Sequence, residues 1–445
     1  MIRSAVQIAC AFTSLWAVEA HAQVTQPTSN FGCSGLQENG ELSAIEGRDG
    51  VFYRINADLR MHHPFSDQTV ESLADLSKAL AANGTTLIFV PIPTKSVTMP
   101  DHLPDNAALY GFDLDVATHV HLDILQRLTN AGVTVVDARA AMLETPEGQL
   151  PFFKADFHWS AAGARETARA IANTIRALPD YPDMTKSQFE TTAQETSVAF
   201  SGMRRILQKS CLTTLPEAVS ITYETTQNQS LDLGEGGFDL FGGGTDTIPV
   251  ALLGTSFSDS PINNFPGFLA EYSELEVINY AMTGGNQFGA MTSYLTSPAF
   301  ESSPPKVLVW ENPIYNNLAQ YGDAPMRELI AAAGRTCLIE MPTEVEGASV
   351  AVDLTGYNLS AEDTIFIDTQ RNIDARAEFA FGSSTGFERV KTIERGERLD
   401  RTGRFYMPLS GLWDDGAATL RIDLEHPLPI APTVYLCPKF TKDES

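Results

Sequence analysis

Basic residues are scarce in this chain. Its 445 residues hold 30 Lys and Arg against 56 Asp and Glu, a formal net charge of −26. Such a field repels phosphates and excludes nucleic acid as a general partner, and any anionic substrate needs a local basic surface that overrides it. Cysteine is sparse too, five in all, with no CxxC spacing, which removes the common zinc frameworks. Beyond the first 22 residues no apolar run approaches the roughly 20 residues of a membrane helix. No Gly-Lys-Ser/Thr follows the glycines at 234–237 and 242–244, so a phosphate-cradling P-loop is excluded and those glycines read as a loop. No metal and no cofactor is expected.

What is present begins with an export signal. Arg3 opens the chain, Ala5 to Val18 is mostly apolar, and Ala20-His21-Ala22 forms an A-x-A cleavage site. A buried N-terminal helix is the alternative reading. Residues 1–22 are taken as a signal peptide and the periplasm as the compartment. Cys33, Cys211, Cys337 and Cys437 remain after cleavage, and four cysteines in an oxidising compartment allow three connectivities. The pairs Cys33–Cys211 and Cys337–Cys437 are favoured because each stays within one proposed domain, each stabilising by about 2–5 kcal/mol.

From about Thr85 to Trp310 short apolar strands alternate with helical stretches. Thr86–Pro91, Val133–Asp137, Val250–Leu253, Glu276–Asn279 and Val307–Trp310 read as strands, and Thr69–Ala82, Val116–Asn130 and Ser160–Ala177 as helices, with Ser160 a capping residue. This pattern predicts an α/β fold with a doubly wound parallel sheet over 23–335, with ligands at the carboxyl ends of the strands. The polar stretch 181–244 reads as a partly irregular excursion with room for a small β-element. From Cys337 onward, short strands separated by turn residues predict a C-terminal β-sandwich over 336–445.

Two segments carry chemistry. Asp156-Phe157-His158-Trp159-Ser160 places a carboxylate two residues before an imidazole, on the same side of an extended segment. Gly254-Thr255-Ser256-Phe257-Ser258 sets a hydroxyl on the turn that leaves an apolar strand. Asp156 can fix the tautomer of His158, His158 can take the hydroxyl proton, and Ser256 can carry an acyl group. Taken singly, each has a bland reading: a turn serine, a loop histidine with a capping aspartate. The Ser256 turn is not a G-x-S-x-G elbow. Gly285 and Asn286 follow another strand and are candidate oxyanion donors, the alternative being a plain glycine turn. Lys95 follows a further strand end and is a candidate to hold an acidic substrate, the alternative being a solvated loop lysine. Arg395, Arg398, Arg401 and Arg404 crowd one stretch of the C-terminal module, followed by Trp413. Guanidinium forks bind carboxylates, and an indole stacks on a sugar face. A solvated surface of mixed charge is the alternative.

The Asp-x-His-Trp segment, placed before a Gly-Thr-Ser-aromatic-Ser segment, resembles the periplasmic alginate O-acetyltransferases. The resemblance covers nearly the whole mature chain. It implies an SGNH-hydrolase-like catalytic domain followed by a carbohydrate-binding β-sandwich, a two-disulfide arrangement, and a triad at Asp156, His158 and Ser256. The order, Asp-His before Ser, is the reverse of ordinary SGNH esterases. Phe257 stands where that family pattern has tyrosine, and the Ser260 to Phe265 stretch offers Asn263 and Asn264 instead of a second tyrosine. The resemblance further implies acetyl transfer onto hydroxyls of an exported acidic polysaccharide such as alginate, with a membrane-bound acyltransferase supplying acetyl and export-complex proteins as partners. A carbohydrate acetylesterase with the same triad, or a noncatalytic polysaccharide-binding scaffold, are the rival readings.

Overall fold

Continuous apolar runs, whose successive side chains point to opposite faces, build a central sheet with two buried faces. In the computed structural model, which describes residues 28–439 except 62, 64, 229–247, 372 and 414–415, five parallel strands lie in the order Thr134–Val135, Thr86–Ile92, Val307–Pro313, Val250–Leu253, Val277–Asn279. Ile88, Val90, Val250, Leu252, Val307 and Val309 face one core, shared with the helices Ala161–Arg176 and Phe265–Ser273. Leu87, Phe89, Ala251, Leu253, Leu308 and Trp310 face the other, shared with Asp67–Ala82 and Ala324–Gly334. The sheet is therefore doubly wound. Among the described residues no helix is long and apolar enough to cross a membrane. The expected signal peptide 1–22 and the glycines at 234–237 and 242–244 lie outside the described residues.

The Val307 strand runs three residues past its expected end, through Glu311, Asn312 and Pro313, all buried. The Val133–Asp137 strand shrinks to Thr134–Val135 because Asp137 caps the next helix, accepting from the Ala140 N–H. The described part of the 181–244 excursion, 181–228, is more regular than expected. Phe189–Ala199 and Ala218–Gln227 form a long antiparallel pair, with Gly202–Gln208 as a helix between them.

The C-terminal strands form two antiparallel sheets, of four and five strands, that sandwich Val350, Ile365, Ile367, Phe379, Phe381 and Ile422. The strand Glu388–Glu394 was not expected; its side chains are mostly exposed and it pairs on one side only, at the sheet edge. Disulfides join Cys33 to Cys211 and Cys337 to Cys437. The sandwich docks on the parallel-sheet unit through Arg395, whose guanidinium grips buried Glu328 at 2.9 and 2.5 Å, while Arg404 reaches Glu301 at 2.5 Å. Tyr406 joins the second core of the parallel-sheet unit.

Candidate functional site

The loop that carries Asp156 and His158 is pinched shut at its base. Phe152 and Trp159 form an isolated bridge, the Ser160 N–H donates to Pro151 O at 2.9 Å, and the Phe153 N–H donates to His158 O at 3.2 Å. Ser160 then caps the Ala161–Arg176 helix, accepting from the Ala162 and Gly163 N–H groups. Gly163 is needed there, because a Cβ would strike Pro151 O. The buried ammonium of Lys95 fills the loop, donating to the carbonyls of Phe153, Lys154 and Asp156, and to that of Phe52. Burial pushes this ammonium down to about 8, against the opposing pull of Asp58 and Asp156. Lys95 is 1% exposed, which corrects its reading as a substrate-binding residue. Its charge is spent on main-chain carbonyls inside the fold.

With the loop so fixed, Asp156 Oδ1 accepts from the His158 main-chain N–H at 2.8 Å and lies 2.6 Å from His158 Nδ1. His158 Nε2 lies 2.7 Å from Ser256 Oγ. The three side chains, with His158 and Ser256 98 residues apart in the chain, thus stand in one hydrogen-bonded line. Burial opposes ionisation of Asp156, but the bond to His158 and the hydroxyl of Ser201 hold its carboxyl below the usual range. The imidazole is wedged against Phe157 and Phe257, with ring centroids at 4.1 and 5.0 Å. Phe257 and Trp159 are core residues, and Trp159 Nε1 donates to Phe257 O at 2.8 Å, tying the two chemical segments together.

Ser256 begins a four-residue helical turn, Ser256–Asp259, at the carboxyl end of Val250–Leu253. Against Phe157, the ring that packs on His158, Arg54 is sandwiched with Tyr315 on its other side, at 4.7 and 4.5 Å, and binds Asp58 through two nitrogens. Burial pushes the Tyr315 phenol up to about 12. Sequence reasoning missed Arg54, Tyr315, Ser201 and Glu311. The i, i+4 spacing of Arg54 and Asp58 was a visible signal; nothing marked the other three.

The remaining expectations fare differently. Asn286, at a positive φ of 54°, turns its Oδ1 to the Phe288 N–H at 3.0 Å, and the Gly285 N–H donates to Met282 O. Among the described residues neither is hydrogen-bonded to Ser256. Arg395 and Arg404 are corrected from substrate ligands to structural cations: the first is bound to Glu328, the second to Asp368 and Glu301. Arg401 donates to Ile373 O at 3.0 Å. Trp413 packs on the sandwich core, with the Arg389 guanidinium over its ring at 4.9 Å, so one face is already taken. Among the described residues Arg398 is the one of the four arginines without a hydrogen-bonded or ion-paired partner. It lies over Gly284 and lines a groove of ≈ 870 Å³ between the two units, with Asn286, Tyr321, Lys391 and Glu397.

The chain resembles known proteins in sequence and in fold. Residues 44–314 match the family model described as an SGNH hydrolase-like domain, acetyltransferase AlgX. The chain is 31% identical over 302 residues to the alginate biosynthesis protein AlgX of Azotobacter vinelandii, covering 67% of this chain and 60% of that one. It is 30% identical over 276 residues to AlgX of Pseudomonas aeruginosa, covering 62% and 56%. The match therefore spans less than two thirds of either relative. The fold superposes on the solved structure of Pseudomonas aeruginosa AlgX with a TM-score of 0.74 at 22% identity, over 90% of this chain and 95% of that one. With the matched family model spanning more than half of its length, the chain belongs to the SGNH hydrolase-like acetyltransferase AlgX family.

Proposed function

We propose that this protein is a periplasmic O-acetyltransferase that passes an acetyl group through Ser256 onto hydroxyls of an exported acidic polysaccharide, alginate or a close relative. The observation that carries this reading is the line Asp156–His158–Ser256, at 2.6 and 2.7 Å, at the strand ends of a chain of this family. In the first step Ser256 Oγ attacks the donor's acetyl carbonyl as His158 Nε2 takes the hydroxyl proton. The carbonyl–oxygen bond to the leaving group then breaks, and Nε2 returns the proton to that oxygen. In the second step a sugar hydroxyl attacks acetyl-Ser256, loses its proton to Nε2 and leaves esterified, restoring the serine. Asp156 holds the Nδ1–H tautomer and balances the imidazolium. The Ser256 N–H, first in its helical turn, serves as an oxyanion donor. Arg398 meets a uronate carboxylate in the groove between the units, which gives the polyanion a local cation despite the net charge of −26. A membrane-bound acyltransferase delivers the acetyl group, since the periplasm holds no acyl-coenzyme A pool.

Incubation with an aryl acetate and oligouronates tests this. Wild-type protein is expected to yield acetylated oligosaccharide and an acetyl adduct on Ser256 by mass spectrometry. Ser256→Ala is expected to lose about 10³-fold or more in rate while still binding the oligomer. Acetate as the sole product would identify an esterase, and an active Ser256→Ala protein would remove the catalytic reading.

A further inference from the structure

Glu311 is a buried acid that the transfer steps above do not use. It sits on the central strand, opposite Val90 on one side and one residue past the Leu253–Trp310 pair on the other. That register sets its carboxylate beside Gly254, at the root of the nucleophile turn. The side chain is fully buried, yet among the described residues no basic side chain is bonded to it. Its partners all belong to the turn. Oε2 accepts from the Thr255 N–H at 2.8 Å and from the Ser258 hydroxyl at 2.9 Å, and the Thr255 hydroxyl reaches both oxygens at 3.1 and 3.2 Å. Gly254 is part of the fit, because a Cβ there would collide with the carboxylate. The opposite side of the turn is pinned as well: Asn279 Nδ2 donates to Ser258 O at 3.0 Å, and Asp259 Oδ2 accepts from the Thr283 N–H at 2.9 Å.

A buried acid with three donors and no cation costs desolvation free energy that a glutamine or a small apolar residue would avoid. Thr255 and Ser258 flank Ser256 on both sides, so one carboxylate fixes the residues before and after the hydroxyl. We propose that Glu311 is a positioning residue, which clamps the Thr255–Ser258 turn and so holds Ser256 Oγ in line with His158 Nε2. This rests on the reading of Ser256 as the nucleophile. The carboxylate does not touch the reacting atoms; it acts through the turn. A displacement of about 1 Å at a reacting centre can cost about 10²-fold in rate, which sets the scale of the effect.

The test uses the full chain and an aryl acetate, with the pre-steady-state burst of phenolate as the measure of acylation. Glu311→Gln keeps the volume but replaces one acceptor oxygen by a donor. It is expected to acylate about 10–100-fold more slowly, with KM and oligouronate affinity within about twofold of wild type. Thr255→Val and Ser258→Ala each remove a hydroxyl from the clamp and are expected to slow acylation in the same direction by less. Combined with Glu311→Gln they are expected to add little further, because the same clamp is already lost. A general loss of folding would instead lower the active-site titre and leave the rate per active site unchanged. That result, or a folded Glu311→Gln protein that acylates within twofold of wild type, overturns the proposal. Should Glu311→Gln fail to fold, wild-type acylation rates in both hydroxyl variants would overturn it equally. Ser256→Ala separates the two claims. A burst that survives in Ser256→Ala removes the nucleophile and this clamp with it, whereas a burst lost in Ser256→Ala but intact in Glu311→Gln removes the clamp alone.

Discussion

Lys95 and Glu311 are both ionisable, both fully buried and both attached to the loops that present His158 and Ser256. Neither was legible as such. Lysine is rarely buried without a partner carboxylate, and the acceptors of Lys95 are main-chain carbonyls some 60 residues away, which leave no trace in residue types. Glu311 follows Trp310 and reads as the polar end of a strand, whereas the chain continues in register to Pro313. The meeting of Asp156, His158 and Ser256 was legible through the family resemblance, since the Asp-x-His spacing and the strand-end serine each had a bland reading when taken singly. Lys95→Met is expected to destabilise the protein by on the order of 3 kcal/mol, since several buried carbonyls lose a charged donor at once, and to slow acylation by loosening the 153–158 loop. Urea midpoints and burst rates check both. Glu311 gives a pH signature. Burial pushes its carboxyl from an ordinary 4.5 up to about 7, while bonds from Thr255 and Ser258 pull the other way. The folded state therefore holds this proton more tightly than the unfolded chain does. Its contribution to stability is full below about 4.5 and is lost as pH rises through about 7. Wild type measured against Glu311→Gln should thus lose about 3 kcal/mol of relative stability across that window, read from urea unfolding at each pH. Tyr315 is the titratable neighbour that senses Glu311, and its phenol stays protonated throughout.

At the scale of elements, a helix with a clean cap and a strand buried on both faces were read to within a residue or two: Ala161–Arg176 behind Ser160, and Val250–Leu253. The elements missed are polar ones whose existence depends on a neighbour. Glu388–Glu394 carries four charged residues on a sheet edge, and the Phe189–Ala199 ribbon exposes most of its side chains, so neither shows an apolar period. The Ala161–Arg176 helix also bears on the site. Ala exceeds Gly in helix propensity by about 1 kcal/mol, so Gly163→Ala should stabilise an isolated helix. Here the added Cβ meets Pro151 O, the acceptor that also takes the Ser160 N–H and closes the His158 loop. Gly163→Ala is therefore expected to lower Tm, against propensity, and to slow acylation. Thermal unfolding and the burst rate together check whether the helix start and the imidazole move as one.

At the scale of the whole molecule, two units of different class share one buried ion pair, and this is where arginine was read wrongly. Arg395 and Arg398 stand three residues apart in one basic-rich stretch, and nothing local separates them. The difference lies 67 residues upstream, in Glu328 on the Ala324–Gly334 helix, which takes Arg395 out of solvent. Among the described residues Arg398 has no such carboxylate and faces the groove. The two should respond in opposite ways. Arg395→Met leaves Glu328 buried and unpaired, at a cost of about 3–5 kcal/mol, and is expected to lower Tm and separate the unfolding of the sandwich from that of the parallel-sheet unit in calorimetry. Arg398→Ala is expected to leave Tm unchanged and to weaken oligouronate binding about tenfold, the loss of one charge-assisted contact. Loss of binding without loss of stability at 398, and the reverse at 395, would divide this cluster into a cation that holds the two units together and a cation that holds the polymer. Equal loss of stability in both variants would make the groove a seam between the units.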